Sequence, residues 1–512
     1  MERNTNKVGG RMIIHGKEVK EKLLEGINLV ANTVKPTLGP QAKTVILQGN
    51  PPVIINDGVT ITRHISSEDP YVQMGIQMVQ NLAHKAQEGS GDGTTTACIL
   101  AQAFCNAIHD HNSKLDLTTH EFMGILDNFT SQVVEQLDSM ATEIQDADIV
   151  EVATIAANND RVLGKLISDA LAKVGRDGIV TVEESKSHNT ELVIREGMEL
   201  TEGYISHLMA NTANGRTVFN NPLIFISNIH FKNFKDLIPM LELASANSRP
   251  LVIFCGGMSG SALNNLVMNL MNQTVECCAI LAPNFGDKQL DELADIQSLV
   301  DGKLFTQESK DDPTNVVLSD FGSCENITVT KEKTIVVGGV GNAEKQIKLL
   351  KGQLDDMEGF DKARIKSRIS RLKGGVATIK VGASSSLELR ERKERLDDAL
   401  NATKAALAEG IVLGGGTSLA HAGDKVETNF NFLAHSLYAP YNTLLLNSNH
   451  EGNWHDDDLV GSLGFNALTG DYMDLEVGGV FDPVKVTKNS FLTAMSIAKL
   501  FYTTDVAVLL EE

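Results

Sequence analysis

The stretch Gly89-Ser90-Gly91-Asp92-Gly93-Thr94-Thr95-Thr96 sets one carboxylate inside a run of glycines and hydroxyls, between two segments with helical apolar spacing. Glycines let backbone N–H groups approach an anion, hydroxyls donate to it, and the N-terminus of a following helix attracts negative charge. Those materials suit a phosphate, which a bare Asp92 would repel. A divalent cation removes the conflict, because Mg²⁺ keeps few protein ligands and bridges a carboxylate to phosphate oxygens. An ordinary loop with a helix cap would use the same residues, so the loop alone leaves both readings open. Gly414-Gly415-Gly416-Thr417 repeats the pattern after an apolar run. Asp57, Asp398 and Asp482 add the carboxylates that phosphoryl transfer needs to position or deprotonate water. Each has a plain alternative: turn chemistry at Asp57, a solvated helix position at Asp398, and a helix or turn initiator before Pro483 at Asp482.

The elements that must carry these residues are legible in outline. Val19, Leu23, Ile27 and Val30 stand at helical spacing over residues 16–34, and Pro36 with Gly39-Pro40 ends that helix. Two β-branched runs follow, broken at Pro51-Pro52 and again at Asn56-Asp57-Gly58, which predicts a hairpin with Asp57 at or beside its tip. A helix is expected over Tyr71–Lys85, a second one carries "ACILAQAFCNAI" after the glycine loop, and further helices lead to about Asn158. The middle of the chain then alternates strand-like runs ("PLIFISN", "RPLVIFCG", "CCAILAP") with helical ones, predicting an α/β domain inserted into a mostly helical protein. Near Gly374-Gly375 the pattern turns helical again. The charged stretch from Lys345 to Lys373 reads as a helix with a solvated face, since its apolar positions hold no heptad.

At 512 residues the chain is expected to form two to four domains. A net charge of −21 opposes unassisted binding to nucleic acid or an anionic membrane, so neither is an expected partner. The six cysteines include no C-x-x-C pair and read as buried thiols in a reducing compartment, and a cytoplasmic location is the expectation. G-x-x-x-x-G-K-[ST] is absent, "VVGGVGNAEKQ" lacks the last glycine of a dinucleotide fingerprint because Glu344 stands there, and the histidines show no zinc spacing.

Taken together, "TLGP" at 37–40, "NDGVTI" at 56–61, "GDGTTTA" at 91–97, "EGM" at 196–198, "GGVATIKVGA" at 374–383, "DDALNATKAALAEGIVLGGG" at 397–416 and "DPVKVT" at 482–487 resemble the group I chaperonins. The resemblance covers essentially the whole chain, and the motifs fall in family order. It implies a multidomain α+β and α/β fold: a mainly helical equatorial ATPase domain (1–139 and 410–512), a small intermediate domain (140–195 and 376–409) and an α/β apical domain (196–375). The implied activity is ATP hydrolysis coupled to the folding of non-native polypeptides by a homo-oligomer of one or two seven-membered rings, with a co-chaperonin lid as a further candidate partner. The implied cofactors are ATP and Mg²⁺, with K⁺ as a candidate second cation.

By motif, Thr37, Leu38, Gly39 and Pro40 would line the nucleotide, Asp92 would hold Mg²⁺, and Gly93, Thr94, Thr95 and Thr96 would contact phosphates. Ile155, Gly415, Asn466 and Asp482 would lie about the nucleoside, and Asp398 and Asp57 would be the catalytic acids. Gly197, Gly374 and Gly375 correspond to hinge positions. Tyr204, Leu208, Met209, Ile238, Leu241, Leu263, Val267 and Met268 match the positions where the family binds unfolded polypeptide, some of them expected to be buried.

The pattern also breaks. Asn56 stands where group I members usually carry lysine, "NSNHEGNWHDDDLVGSLGF" is unlike its family counterpart, Gly256 and Ser261 replace apical acids, and no Gly/Met-rich tail follows "TTDVAVLLEE". These departures mark a divergent member, virally encoded or a specialised paralogue. The rival readings are a protein-binding ring that hydrolyses ATP poorly and an ordinary metabolic ATPase or kinase.

Overall fold

Apolar residues four and three apart bury one face of each long helix, and these faces build the first of two bodies. The computed structural model describes residues 6–8, 11–48, 53–55, 57–112, 117–176, 178–185, 188–195, 197–212, 214–309, 312–353, 364–365, 368–369, 371–373, 375–450 and 461–509. It divides into a unit of residues 1–168 with 383–512 and a unit of residues 169–382.

In the first unit, helices Lys17–Val34, Pro70–Ser90, Thr94–Asn112, Thr119–Met140 and Val484–Thr503 share one core. Val19, Ile27 and Val30 are fully buried in it. The first two helices meet backbone to backbone, since a Cβ on Gly26 would lie 2.8 Å from the Ile76 nitrogen and one on Gly75 would strike Leu23. Phe104, Phe129 and Phe491 pack edge to face with centroids 6.0–6.2 Å apart. Both chain ends enter one antiparallel sheet, where Arg11–His15 pairs on one side with Asn6–Val8 and on the other with Val506–Leu509. Residues from opposite ends of the chain therefore share this unit.

The second unit is built on a mixed sheet in the order Cys277–Leu281, Leu251–Cys255, Leu223–Ser227, Gly322–Val329, Thr334–Gly339, Gly197–Leu200. The first three strands are parallel, and Leu223–Ser227 and Leu251–Cys255 are buried along their whole length. That explains their unbroken apolar runs, because crossover helices cover parallel strands on both faces. Val376–Val381 is a strand, central in a second sheet between Ile179–Glu184 and Glu191–Arg195, where a return to helix was expected. Its partners lie far away in sequence, so no local pattern announces it. All six cysteines are free and buried, and burial pushes the Cys98, Cys255, Cys278 and Cys324 thiols up to about 12. Among the described residues no helix is long and apolar enough to cross a membrane.

The hinge glycines differ from one another. Gly375 has φ of 62°, where glycine is favoured. Gly197 opens a strand with no left-handed torsion, and its missing side chain is explained by space: a Cβ would meet Val376 Cγ2 at 2.7 Å. Gly374 lies outside the described residues.

Of the charged stretch from 345 to 373, Lys345, Lys348 and Lys351 are exposed as expected of a solvated face, but Arg364, Arg368 and Arg371 are not. Helix Ala343–Gln353 buries Leu350, and Ile365, Ile369 and Leu372 join the core of the second unit. Arg368 is 2% exposed and grips Asp295, itself 1% exposed, through Nε at 2.7 Å and Nη2 at 2.8 Å. Gln346 adds a third donor to the same carboxylate at 2.8 Å. Arg364, Arg368 and Arg371 follow helical spacing and pair with Asp291, Asp295 and Glu292 of helix Asp287–Val300. Removing one partner of a buried pair strands the other charge, so Arg368→Met should cost about 3–5 kcal/mol, and Arg368→Met/Asp295→Leu should regain most of it. Urea unfolding of the three proteins tests this, and equal midpoints would contradict it.

Candidate functional site

The glycine loop is shorter than expected because the preceding helix runs on through Gly89 to Ser90. Asn489 stabilises that last turn, donating from Nδ2 to the Ala86 carbonyl at 3.0 Å and to Ser90 Oγ at 2.9 Å. Gly91, at φ 71°, ends the helix in the left-handed region, where glycine carries no Cβ penalty. Ser90 Oγ donates to the Asp92 carbonyl at 2.9 Å, Gly93 N–H donates to Asp92 Oδ1 at 2.6 Å, and Ser490 Oγ donates to the Gly93 carbonyl at 3.0 Å. Helix Thr94–Asn112 starts immediately afterwards, so the threonines stand on its first turn. The loop is thus braced by a helix about 400 residues further along the chain.

The other segments are held as firmly. Thr37–Pro40 follows a 3₁₀ turn at Lys35–Thr37, and Asn447 Nδ2 clamps it by donating to the Lys35 and Leu38 carbonyls, each at 2.9 Å. Strand Ile411–Leu413 pairs antiparallel with Phe481–Pro483, setting Val412 opposite Asp482. The chain then turns so that the N–H groups of Gly415 and Gly416 point at the Asp482 carboxylate. The second glycine cluster therefore serves a carboxylate of the protein's own. Asn466 is 8% exposed in a hairpin strand, with Oδ1 accepting from Leu468 N–H at 3.0 Å.

Asp57 is not at a hairpin tip. The hairpin pairs Val45–Leu47 with Val53–Ile55, and Asp57 caps helix Gly58–Arg63, accepting from Val59 N–H at 3.3 Å and Thr60 N–H at 2.7 Å. The β-branched run Val59-Thr60-Ile61-Thr62 reads as strand, yet Val59, Ile61 and Thr62 are buried on a short helix, and tertiary burial outweighs propensity. Asn56 lies outside the described residues.

One cavity of about 490 Å³ in the first unit is lined by Thr37, Leu38, Gly39, Pro40, Asp57, Asp92, Gly93, Thr94, Thr95, Thr96, Ile155, Asp398, Gly415, Asn466 and Asp482. All the residues singled out for nucleotide, metal and catalysis thus converge. Burial pushes the Asp92 carboxyl up to about 6, with Gly93 N–H opposing and the Asp57 charge adding to the rise. Burial likewise lifts Asp482 to about 7, with the Asp92 charge adding and the Gly415 and Gly416 amides opposing. Asp398 is raised well above the ordinary carboxylate range by burial and then by the charges of Asp92 and Asp57, against a hydrogen bond from Gln87. A divalent cation fits here: Asp92 is a half-buried carboxylate that feels the charge of Asp57, with hydroxyls and the start of helix Thr94–Asn112 adjoining. Among the described residues no three His, Cys, Asp or Glu side chains gather as a protein-only metal cage. An ion held by one carboxylate and phosphate oxygens needs no such cage.

Several lining residues went unnoticed in the sequence. Gln87 contacts both Asp398 and Thr94, the latter at 3.5 Å. Arg161 pairs with Glu151 at 3.1 Å and Arg395 with Glu391 at 2.6 Å, all four lining the cavity. The Thr154 and Ser418 hydroxyls in its wall are buried without a hydrogen-bond partner. Arg395 had a usable signal, standing three residues before Asp398 on one helix and hence on the same face.

In the second unit, Leu208 is 45%, Ile238 36% and Met268 58% exposed. Tyr204, Leu263 and Val267 are half-buried against the core. Met209 and Leu241 are buried, and Met209 Sδ accepts from Ala279 N–H at 3.3 Å. These two are core residues and not surface contacts: the short turn His207–Met209 buries Met209, and the helix Ile238–Ala246 buries Leu241 together with Met240 and Ala244.

A helical body assembled from both chain ends, with an α/β body inserted in the sequence between them, is the chaperonin architecture. Residues 30–511 match the TCP-1/cpn60 chaperonin family, and the chain belongs to it. Among solved structures it is similar to the chaperonin gp146 from the bacteriophage EL 2 (Pseudomonas aeruginosa), crystallised in the presence of ATP-BeFx. The match covers 98% of this chain and 99% of that one at 20% identity, with TM-scores of 0.70 for crystal form II and 0.66 for crystal form I. At that identity the likeness is one of fold.

The raised carboxyls have a consequence for stability. With folded values of about 6 for Asp92 and about 7 for Asp482 against 3.8 ordinarily, the folded chain keeps protons that the unfolded chain has released. Their contribution is full below 3.8 and is lost as pH rises through about 6 and about 7. The thermal midpoint of the ligand-free protein should therefore fall between about pH 5 and about pH 8, and less so in Asp482→Asn. Equal pH slopes for the two proteins would contradict the assignment.

Proposed function

We propose that this chaperonin is an ATP hydrolase whose first unit binds and cleaves ATP and whose second unit captures non-native polypeptides, promoting their folding through ATP-driven domain movements. The observation that carries the first half is the convergence of Asp57, Asp92, Asp398 and Asp482 with two glycine turns and three threonines on one cavity. The ATP-BeFx used with gp146 is consistent with it.

In this reading Gly93 to Thr96 donate to phosphate oxygens at the start of helix Thr94–Asn112. Asp92 would hold Mg²⁺, which when bound supplies neutralisation of phosphate charge. Thr37 to Pro40, Ile155, Gly415, Asn466 and Asp482 flank the nucleoside and shield the reaction from water. Asp398 orients the attacking water and takes its proton, a task suited to a carboxyl whose burial raises its basicity. Asp57 stands beside the transferred phosphate, its carboxylate fixed by two backbone N–H groups. K⁺ would accompany the phosphates.

For capture we assign Leu208, Ile238 and Met268, supported by Tyr204, Leu263 and Val267. Exposed apolar side chains repeated around a homo-oligomeric ring, seven-membered as in the group I pattern, give multivalent, sequence-tolerant binding. The equatorial, intermediate and apical division at residues 139, 195, 375 and 409 belongs to the same proposal, with Gly375 as a hinge, and a co-chaperonin lid is an additional partner in it.

Asp398→Ala should bind ATP within a few-fold of the unaltered protein and release phosphate at least about 100-fold more slowly. Unchanged phosphate release would remove Asp398 from the chemistry. Met268→Ser and Leu263→Ser should each weaken capture of a chemically denatured protein, scored as suppression of its aggregation, with nucleotide affinity intact. Undiminished capture in both would contradict the surface assignment.

A further inference from the structure

Four aspartates and three glutamates line the cavity, and its cationic side chains among the described residues are Arg161 and Arg395. The two arginines are placed differently. Glu151, the partner of Arg161, packs its Cγ 3.1 Å from where a Cβ on Gly479 would stand, three residues before Asp482. Arg395 instead rises from helix Ser386–Glu409 one turn before Asp398, on the face that Asp398 presents to the cavity. Its guanidinium is incompletely satisfied: Nη2 donates to Glu391 Oε1 at 2.6 Å, while Nε is shielded from solvent and has no hydrogen-bond partner. Glu391 is 44% exposed and so is a partner that water can replace.

We propose that Arg395 contacts the terminal phosphate of a bound nucleoside triphosphate, with Glu391 as its resting partner, and that this contact separates ATP from ADP in the cavity. The inference rests on the nucleotide-site reading above. A γ-phosphate brings its extra charge in among Asp57, Asp92 and Asp398, where a nearby cation offsets the repulsion. The edge of a guanidinium formed by Nε and one Nη matches two oxygens of a phosphate, and the Nε half of that edge is vacant. Exchange of Glu391 for phosphate satisfies both nitrogens. ADP, ending one phosphate short, leaves Arg395 on Glu391.

The test is calorimetric titration of ADP and of a non-hydrolysable ATP analogue, both with Mg²⁺, into the unaltered protein, Arg395→Gln, Arg395→Lys and Glu391→Gln. Arg395→Gln should weaken the analogue roughly tenfold or more and ADP by less than about twofold, as expected for loss of a charge-assisted contact. Arg395→Lys should recover part of the difference, and Glu391→Gln should tighten the analogue alone. Equal losses for both ligands in Arg395→Gln, or no loss, would overturn the proposal, as would an analogue affinity in Glu391→Gln that fails to rise. If Arg395→Gln does not fold, the other two variants decide. An unaltered protein that binds neither nucleotide would overturn the site reading itself, whereas nucleotide binding indifferent to Arg395 would overturn this inference alone.

Discussion

A carboxylate removed from water loses hydration that few groups inside a protein can replace, and bringing several together adds their mutual repulsion. The cavity of this chaperonin does both with Asp57, Asp92, Asp398 and Asp482. The protein compensates only in part: Gly93 N–H for Asp92, the Gly415 and Gly416 amides for Asp482, Gln87 for Asp398, and the first turn of helix Gly58–Arg63 for Asp57. What remains shows as the Asp92, Asp398 and Asp482 carboxyls held above their ordinary range. Such an arrangement is costly by itself, and in the proposed reading a cation and a polyanion entering together would offset it, each neutralising what the other cannot.

The repulsion is sustained because each carboxylate sits on a backbone that is fixed by something else. Asn489 and Ser490 hold the Asp92 loop, the pairing of Ile411–Leu413 with Phe481–Pro483 holds Asp482, and Asn447 holds Thr37–Pro40. The asparagine and serine braces are hydrogen bonds between segments roughly 400 residues apart, and they exist because the helices at both chain ends share one core. The site is therefore a property of the assembled first unit, and no contiguous fragment contains it. A Cβ on Gly91 would lie 2.5 Å from Asn401 Cβ, so even the helix that carries Asp398 closes down on the loop.

Much of this was legible in the sequence. The long amphipathic helices, the inserted α/β body and the convergence of two glycine clusters follow from apolar spacing and from motifs in family order. What escaped has physical reasons. The β-branched run after Asp57 folds as helix because burial decides where propensity is weak, and the run to Ser90 stays helical because a distant asparagine ties its end. Strand Val376–Val381 depends on partners almost 200 residues away. The charged stretch around Arg368 looked solvated because nothing in its own spacing reveals that Asp295 waits for it. Arg395 was passed over because a basic residue in a charged helix is ordinarily a surface residue, although its place three residues before Asp398 put it on the same helix face.

Central to the proposed site is the entry of anion and cation into this cavity as a coupled pair. Nucleotide affinity measured by calorimetry in the presence of Mg²⁺ and again in the presence of a chelator tests that directly. One site per chain is expected, with an affinity that collapses without the divalent ion, since a bare triphosphate would face four aspartates. Affinity that is unchanged by the chelator would contradict it.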